Sequence, residues 1–391
     1  MSVVEEYHKK TILKVVPSLN LGEVERGIID LARRIIDSGD NFIVISNGGR
    51  LVTKLEEVGA RHILLNVDSI NPITMWNNAD KITDIIKQYN VDIVHVHSRA
   101  PAWSCYKAAQ RTGAKLLTTF HGIYNFSNPL KKYYNSIMTK GSLVIAVSHF
   151  VKKHILDNYH IDEQKIRVIH RGVNHTEFNP DNISTSSLAR YKEKYNAPLD
   201  TPILLIPSRI TRWKGHLTLI DALSKIQNMN FYCIIVGDLS RYPEYVEEIK
   251  DRIYKHRIQK RVQLFGDEPD IAKLYAISDI VLSPSVEPEA FGRSIIDGQA
   301  MKKLVISSAL GGALETIEDG KTGFHVKPGD SEDLAEKIKY CLNILGTEQH
   351  KKIIEQARQN IIDKFCLNLM LPKLLAIYDE LYNKSEKNRL T

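Results

Sequence analysis

The chain has 391 residues, 43% of them hydrophobic and 25% charged, a length too great for one ordinary core and a composition that excludes a disordered or low-complexity protein. No apolar run approaches the roughly 20 residues of a membrane helix, the first residues do not read as a signal peptide, and Cys105, Cys233, Cys341 and Cys366 lack the paired spacing of a disulfide framework or zinc ribbon. The net charge of +7 sits wholly in residues 1–175, with 23 basic against 16 acidic residues, while the remainder holds 30 of each. A cytoplasmic protein is expected.

In chain order, TILKVVP reads as a buried parallel strand, followed by a helix over VERGIIDLARRIIDSG in which Val24, Ile28, Leu31 and Ile35 recur at helical spacing. NFIVIS, RHILLNV, VDIVHVH, KLLTTFH and SLVIAVS follow as further strands, each leading into a helix or loop. From Ile93 to Leu156 nine basic residues stand without one acid. Such a segment attracts phosphates, acidic sugars or an anionic membrane surface, unless it is simply a solvated face. Nucleic acid is not expected, because no recognised binding motif accompanies the charge.

Around 174–200 the pattern breaks into a polar, Asn- and Ser-rich stretch containing Pro180, which predicts a linker. A second βα series then runs through PILLIPS, FYCIIVGD, RVQLFGD, DIVLSPS, KLVISS and GFHVK, and Leu369–Lys384 reads as a helix that packs back on the first domain. The expected fold is α/β, with two Rossmann-like doubly wound domains facing each other across a cleft. Residues 1–178, with a C-terminal helix at about 369–391, form the first domain and 195–368 the second.

Three loops carry candidate chemistry. After DIVLSPS comes a Gly-containing loop running into a helix, Ser285-Val-Glu-Pro-Glu289-Ala-Phe291-Gly292-Arg-Ser-Ile-Ile-Asp297. Amides and the positive dipole end at such a helix start form an anion site, and the two carboxylates can accept hydrogen bonds from sugar and ribose hydroxyls. After PILLIPS, Ser208-Arg209-Ile-Thr-Arg212-Trp213-Lys214-Gly215 places cations at a strand end. There they can steady charge growing on a departing phosphate without a metal. In the first half, Thr118-Thr119-Phe120-His121-Gly122 ends a strand; a His in such a turn can also be purely structural. His95 and His97 share one face of VDIVHVH, but no third ligand for a metal is evident.

Together these motifs resemble the retaining glycosyltransferases of family four, with the GT-B fold, over about Leu13 to Lys384. In that family a Glu, seven residues and a second Glu mark the donor site; Glu289 fills the first position and Asp297 stands at the second. The resemblance implies that Arg209, Lys214 and the amides at Phe291 and Gly292 hold the donor diphosphate, and that Glu289 and His121 contact the sugar. Gly22 matches a glycine turn that approaches the diphosphate, with Glu23 where relatives usually have a second Gly. Asp297 would serve the ribose, and Gly237 and Gly266 the base pocket.

The stretches Ser98–Trp103 and His121–Tyr134 resemble glycosyltransferases that build lipopolysaccharide or related envelope glycans. That resemblance puts Arg99, Lys131 and Lys132 on the acceptor or membrane side. Lys beside Tyr and Phe suits a lipid headgroup interface, as it does a plain amphipathic surface helix. The implied enzyme is a hexosyltransferase needing neither metal nor cofactor. Its donor would be a UDP- or GDP-linked sugar and its acceptor a lipid-linked or envelope saccharide, at the inner face of the cytoplasmic membrane in peripheral contact with anionic lipid. A decayed homologue that only binds nucleotide, or a GT-B epimerase or phosphorylase, remains open. A dinucleotide oxidoreductase is disfavoured, since no GxGxxG follows the first strand.

Overall fold

Continuous Val, Ile and Leu runs place side chains on both faces of each strand, so the strands need cover on both sides and pair in parallel. A computed structural model describes residues 9–20 and 23–390, with all of their side chains except those of 23–26 and 384–390. The chain divides into two units, one taking in the chain up to Ile169 and again from Leu371, the other His170–Met370.

Unit 1 holds β1 (Thr11–Val15), β2 (Asn41–Ser46), β3 (Arg61–Leu64), β4 (Ile93–Val96), β5 (Lys115–Phe120), β6 (Leu143–Ala146) and β7 (Ile166–Val168). These form a parallel sheet in the order β3-β2-β1-β4-β5-β6-β7. Unit 2 holds β8 (Ile203–Pro207), β9 (Tyr232–Val236), β10 (Val262–Phe265), β11 (Ile280–Ser283), β12 (Leu304–Ser308) and β13 (Phe324–Val326). Their order is β10-β9-β8-β11-β12-β13, again parallel. In each sheet the strand order reverses once, between β1 and β4 and between β8 and β11. Doubly wound sheets open a ligand crevice beyond the strand ends at such a point.

The units divide earlier than the polar stretch suggests. Val173 bridges to Cys366, and a side chain at Gly172 would meet the Leu367 backbone at 2.7 Å, so this segment is locked within unit 2. The expected linker carries a helix, Thr185–Lys194, also held in unit 2. The hydroxyls of Tyr191 and Tyr195 and the ammonium of Lys194 all bond the Glu268 carboxylate, at 3.2, 2.5 and 2.5 Å. β7 was not foreseen, because three residues are too few to show a period. The last helix, Leu367–Leu390, rejoins unit 1 from Leu371 onward. There buried Tyr378 pairs with His95 Nδ1 at 2.7 Å, and Arg167 donates to Glu380 at 2.9 Å.

The buried residues of unit 1 include ionisable ones, among them Asp92 and Lys14. Lys14 is 4% exposed in β1, in register with His95 of β4. Burial pushes its ammonium down to about 7. Unfolded, it titrates near its ordinary value of about 10.4, so between about pH 7 and 10 the unfolded chain binds more protons and stability rises with pH. Lys14→Met is expected to stabilise unit 1 at pH 7, with the gain over the native chain shrinking toward pH 10. Urea midpoints for both proteins across that range test this; a gain that does not vary with pH would contradict it.

Candidate active site

In unit 2, the loops leaving β8 and β11 meet at the reversal point. The β8 loop passes through a tight turn, Arg212–Lys214, into the helix His216–Lys225. Between them Gly215 has φ +73°, and a Cβ there would stand 1.9 Å from the Pro284 carbonyl oxygen of the β11 loop. Only glycine allows both the left-handed backbone and that approach. Val286 N–H then donates to the Trp213 carbonyl at 2.8 Å, stitching the loops together.

This contact brings Lys214 Nζ to 2.7 Å from Glu289 Oε1, with each side chain 11% exposed. Ser283 and Ser285 hydroxyls also donate to Oε1, at 3.0 and 2.5 Å. Burial alone would push the Glu289 carboxyl up, but the Lys214 charge and the three donors hold it below the usual carboxylate range. Glu289 is therefore ionised at neutral pH. All three bonds fall on Oε1, which leaves Oε2 for another donor. Lys214 has three N–H donors, so the contact with Glu289 does not exhaust it.

Arg209 joins the same group through Trp213. Its guanidinium carbon lies 5.4 Å from the indole centroid, and Lys214 Nζ lies 4.4 Å from it. Arg212 points elsewhere, paired with Glu248 at 2.5 Å and set over the Tyr245 ring at 4.9 Å. Behind the loop His216 is fully buried and pairs with Ser208 Oγ at 3.2 Å; burial lowers its pKa to about 4, so it is a neutral brace.

The helix Arg293–Ala300 starts at Gly292, φ +85°, and no side chain caps it. Phe291 is core, with its ring 5.6 Å from His170 and 5.7 Å from Phe365, so only its backbone faces the loop. Gly311 and Gly312 pack on the other side, where added Cβ atoms would stand 2.4 Å from the carbonyl oxygens of Glu289 and Ala290. Asp297 is 4% exposed and accepts from Arg293 Nε at 2.9 Å. The family resemblance gives that carboxylate to a ribose, and Arg293, four residues before it, is a partner that the motif does not express. Gly237 sits against the Ser208 carbonyl, 2.2 Å from where a Cβ would be, whereas Gly266 has open space around it. They follow the adjacent parallel strands β9 and β10, and burial, with the Asp238 charge second, raises the Asp267 pKa.

Sequence reasoning missed Trp213, Ser283, Ser285 and His216. The two serines are legible afterwards: spaced by two at a strand end, they share one face. Nothing in the pattern marked Trp213 or His216.

In unit 1, the histidines line the ends of β4 and β5. His97 Nδ1 and His121 Nε2 are 2.6 Å apart with stacked rings, and the His95 and His97 ring centroids are 4.2 Å apart. Both His95 nitrogens are occupied, by Tyr378 and by Thr119 Oγ1 at 2.7 Å, and burial holds it neutral. It is a structural histidine. Arg99 donates to Asn135 Oδ1 at 2.7 Å, while Lys131 and Lys132 are exposed on the helix Pro129–Ser136. Lys132 Nζ lies 5.2 Å from the Phe126 ring centroid. Gly22 lies outside the described residues. Among those described, no helix is long and apolar enough to cross a membrane.

Residues 24–177 match the family model described as Glycosyltransferase Family 4, and residues 189–360 match Glycosyl transferases group 1. A solved glycosyltransferase from Rickettsia africae is 55% identical, with a TM-score of 0.88 over 96% of this chain and 99% of that one. The Anabaena protein HepE, solved in complex with UDP and glucose, is 25% identical with a TM-score of 0.82 over 95% of this chain and 100% of its own. The N-acetyl-α-D-glucosaminyl L-malate synthase of Bacillus anthracis is 24% identical over 80% of this chain and 81% of its own. With two parallel-sheet Rossmann-like units and these relatives, the chain belongs to the family 4 glycosyltransferases of the GT-B fold.

Proposed function

We propose that this protein moves a hexose from a nucleoside-diphosphate donor to a saccharide acceptor with retention at the transferred carbon and without a metal. The observation that carries the reading is the Lys214–Glu289 contact beside Arg209 and Trp213, at the reversal point of the unit 2 sheet. Lys214, Arg209 and the amides at Phe291 and Gly292 hold the diphosphate. Glu289 Oε2 accepts from a sugar hydroxyl, and His121 contacts the sugar near the reacting carbon. The bond from the sugar carbon to the phosphate oxygen breaks as the acceptor oxygen bonds that carbon on the same face. The acceptor proton passes to the departing phosphate, whose charge the two cations steady. HepE was solved with UDP and glucose, which supports a UDP-linked hexose as the first donor to try. The acid-free basic segment of unit 1 supports an acceptor carried on a lipid at the inner face of the cytoplasmic membrane, with Lys131 and Lys132 toward anionic lipid.

A panel of UDP- and GDP-sugars, scored by release of the nucleoside diphosphate with acceptor present, is expected to give turnover that a chelator leaves unchanged. Loss of activity with the chelator, restored by a divalent ion, would exclude the metal-free reading. Protein that binds nucleotide but releases none from any donor would instead be a non-catalytic homologue.

Lys214→Ala and Glu289→Ala are each expected to lower turnover by about 10²–10³-fold, the scale of removing one preorganised charge at a reacting centre, with the circular dichroism spectrum preserved. Because the Glu289 pKa is depressed, its contribution is present at neutral pH and is lost only as pH falls below the ordinary carboxylate range. Native turnover in both variants would remove the assignment of this loop pair.

A further inference from the structure

Partly buried arginines in this chain either pair with carboxylates, as Arg167 does with Glu380, Arg252 with Asp221 and Arg293 with Asp297, or donate to several backbone carbonyls, as Arg261 and Arg358 do. Arg99 does neither. It opens the helix Arg99–Thr112 just beyond β4, beside the reversal point of the unit 1 sheet, and is half-buried. Its guanidinium carbon lies 4.5 Å from the Tyr124 ring centroid and 6.0 Å from that of Tyr134, and Nη1 donates to Asn135 Oδ1 at 2.7 Å. All three neighbours are neutral. They come from the stretch Ile93–Leu156, which contains no acid, and among the described residues no carboxylate pairs with Arg99. A cation partly removed from water with no counter-charge is unfavourable until an anion arrives.

One further donor beside it is unused. Ser98 stands at the N-cap of the same helix without capping it, and its buried Oγ has no hydrogen-bond partner. Asn135 is fully buried, with its amide facing the Tyr159 hydroxyl. The Arg99 donor orients that amide, because only the oxygen can accept. Among the described residues Arg99 thus has one of five N–H donors occupied, next to a helix start that leaves the Arg99 and Ala100 amides uncapped, since Pro101 has no N–H and the Ala102 amide bonds the Ser98 carbonyl.

We propose that Arg99, Ser98 and the first turn of the helix Arg99–Thr112 bind a phosphate ester carried by the acceptor. Donors arriving from a guanidinium fork, a hydroxyl and helix amides suit the three outward oxygens of a tetrahedral group better than a planar carboxylate. The word acceptor rests on the glycosyltransferase reading above; the binding does not. Tyr124 and Asn135 act as positioning residues that hold the fork toward the strand ends.

The test uses the full chain and no donor, so it stands or falls apart from turnover. Glycerol 3-phosphate is titrated calorimetrically at fixed ionic strength, and vesicles of phosphatidylglycerol in phosphatidylcholine are sedimented with the protein in parallel. Arg99→Met is expected to weaken phosphate binding at least tenfold, and Arg99→Lys, which keeps the charge but loses the fork, to weaken it less. Lys351→Ala, at an exposed surface lysine of the other unit, is expected to leave it within about twofold, and Lys214→Ala is titrated beside it. The same dependence on Arg99 seen only with vesicles would place the phosphate on a lipid and support the proposal. Binding that ignores Arg99 in both formats, that follows Lys214 instead, or that is absent from both would overturn it. If Arg99→Met melts early, the Arg99→Lys affinity decides alone: native affinity there counts against the site.

Discussion

Lys214 and Glu289 lie on different loops, far apart in the chain, and each is buried enough that its charge would be unfavourable without the other. Their contact exists only because the β8 and β11 loops approach to backbone distance at Gly215 and Pro284. The rest of the proposed donor site follows from that approach. Trp213 is carried to where both cations reach its ring, and the serines at the end of β11 are aimed at the same carboxylate oxygen. An ion pair with hydrogen bonds crowded onto one oxygen is a preorganised arrangement: the carboxylate and the ammonium are held in place before any ligand enters.

Such a site must be neutral enough to be stable and charged enough to bind. Its own pair cancels one positive charge, and Arg209 remains exposed beside it. In the proposed function a diphosphate would bring the missing negative charge to a place where Lys214 still has donors to spare. The brace behind the loop is uncharged. His216 is buried with a pKa well under neutrality, so it supports Ser208 without adding to the field.

Unit 1 distributes its charge differently. Its sheet buries Lys14 and His95 side by side, and burial drives both toward their neutral forms. At the strand ends, Arg99 stands amid rings and an amide, with no acid paired to it among the described residues. Two rings and one amide oxygen orient a guanidinium without neutralising it, which separates this site from the self-compensated pair in unit 2.

Twelve of the thirteen strands were legible as β-branched apolar runs, and so was the repeat of one architecture, because burial on both faces leaves an unbroken hydrophobic signature. The motif positions of Arg209, Lys214 and Glu289 were legible too, since cations and acids stand at the ends of those strands. What the chain order could not express was partnership. Asp297 reads as a ligand for ribose, yet Arg293, one helical turn before it, engages its carboxylate. Arg212 has no place in the family pattern of the cation loop, and the turn aims it at Glu248. Glu268 carries no signal in the sequence, yet it anchors a helix in the supposed linker. Period and composition report which residues leave water, because burial acts on each side chain roughly by its own area. Which polar groups then meet depends on distances of a few ångströms across loops remote in sequence, and only the tertiary structure decides those.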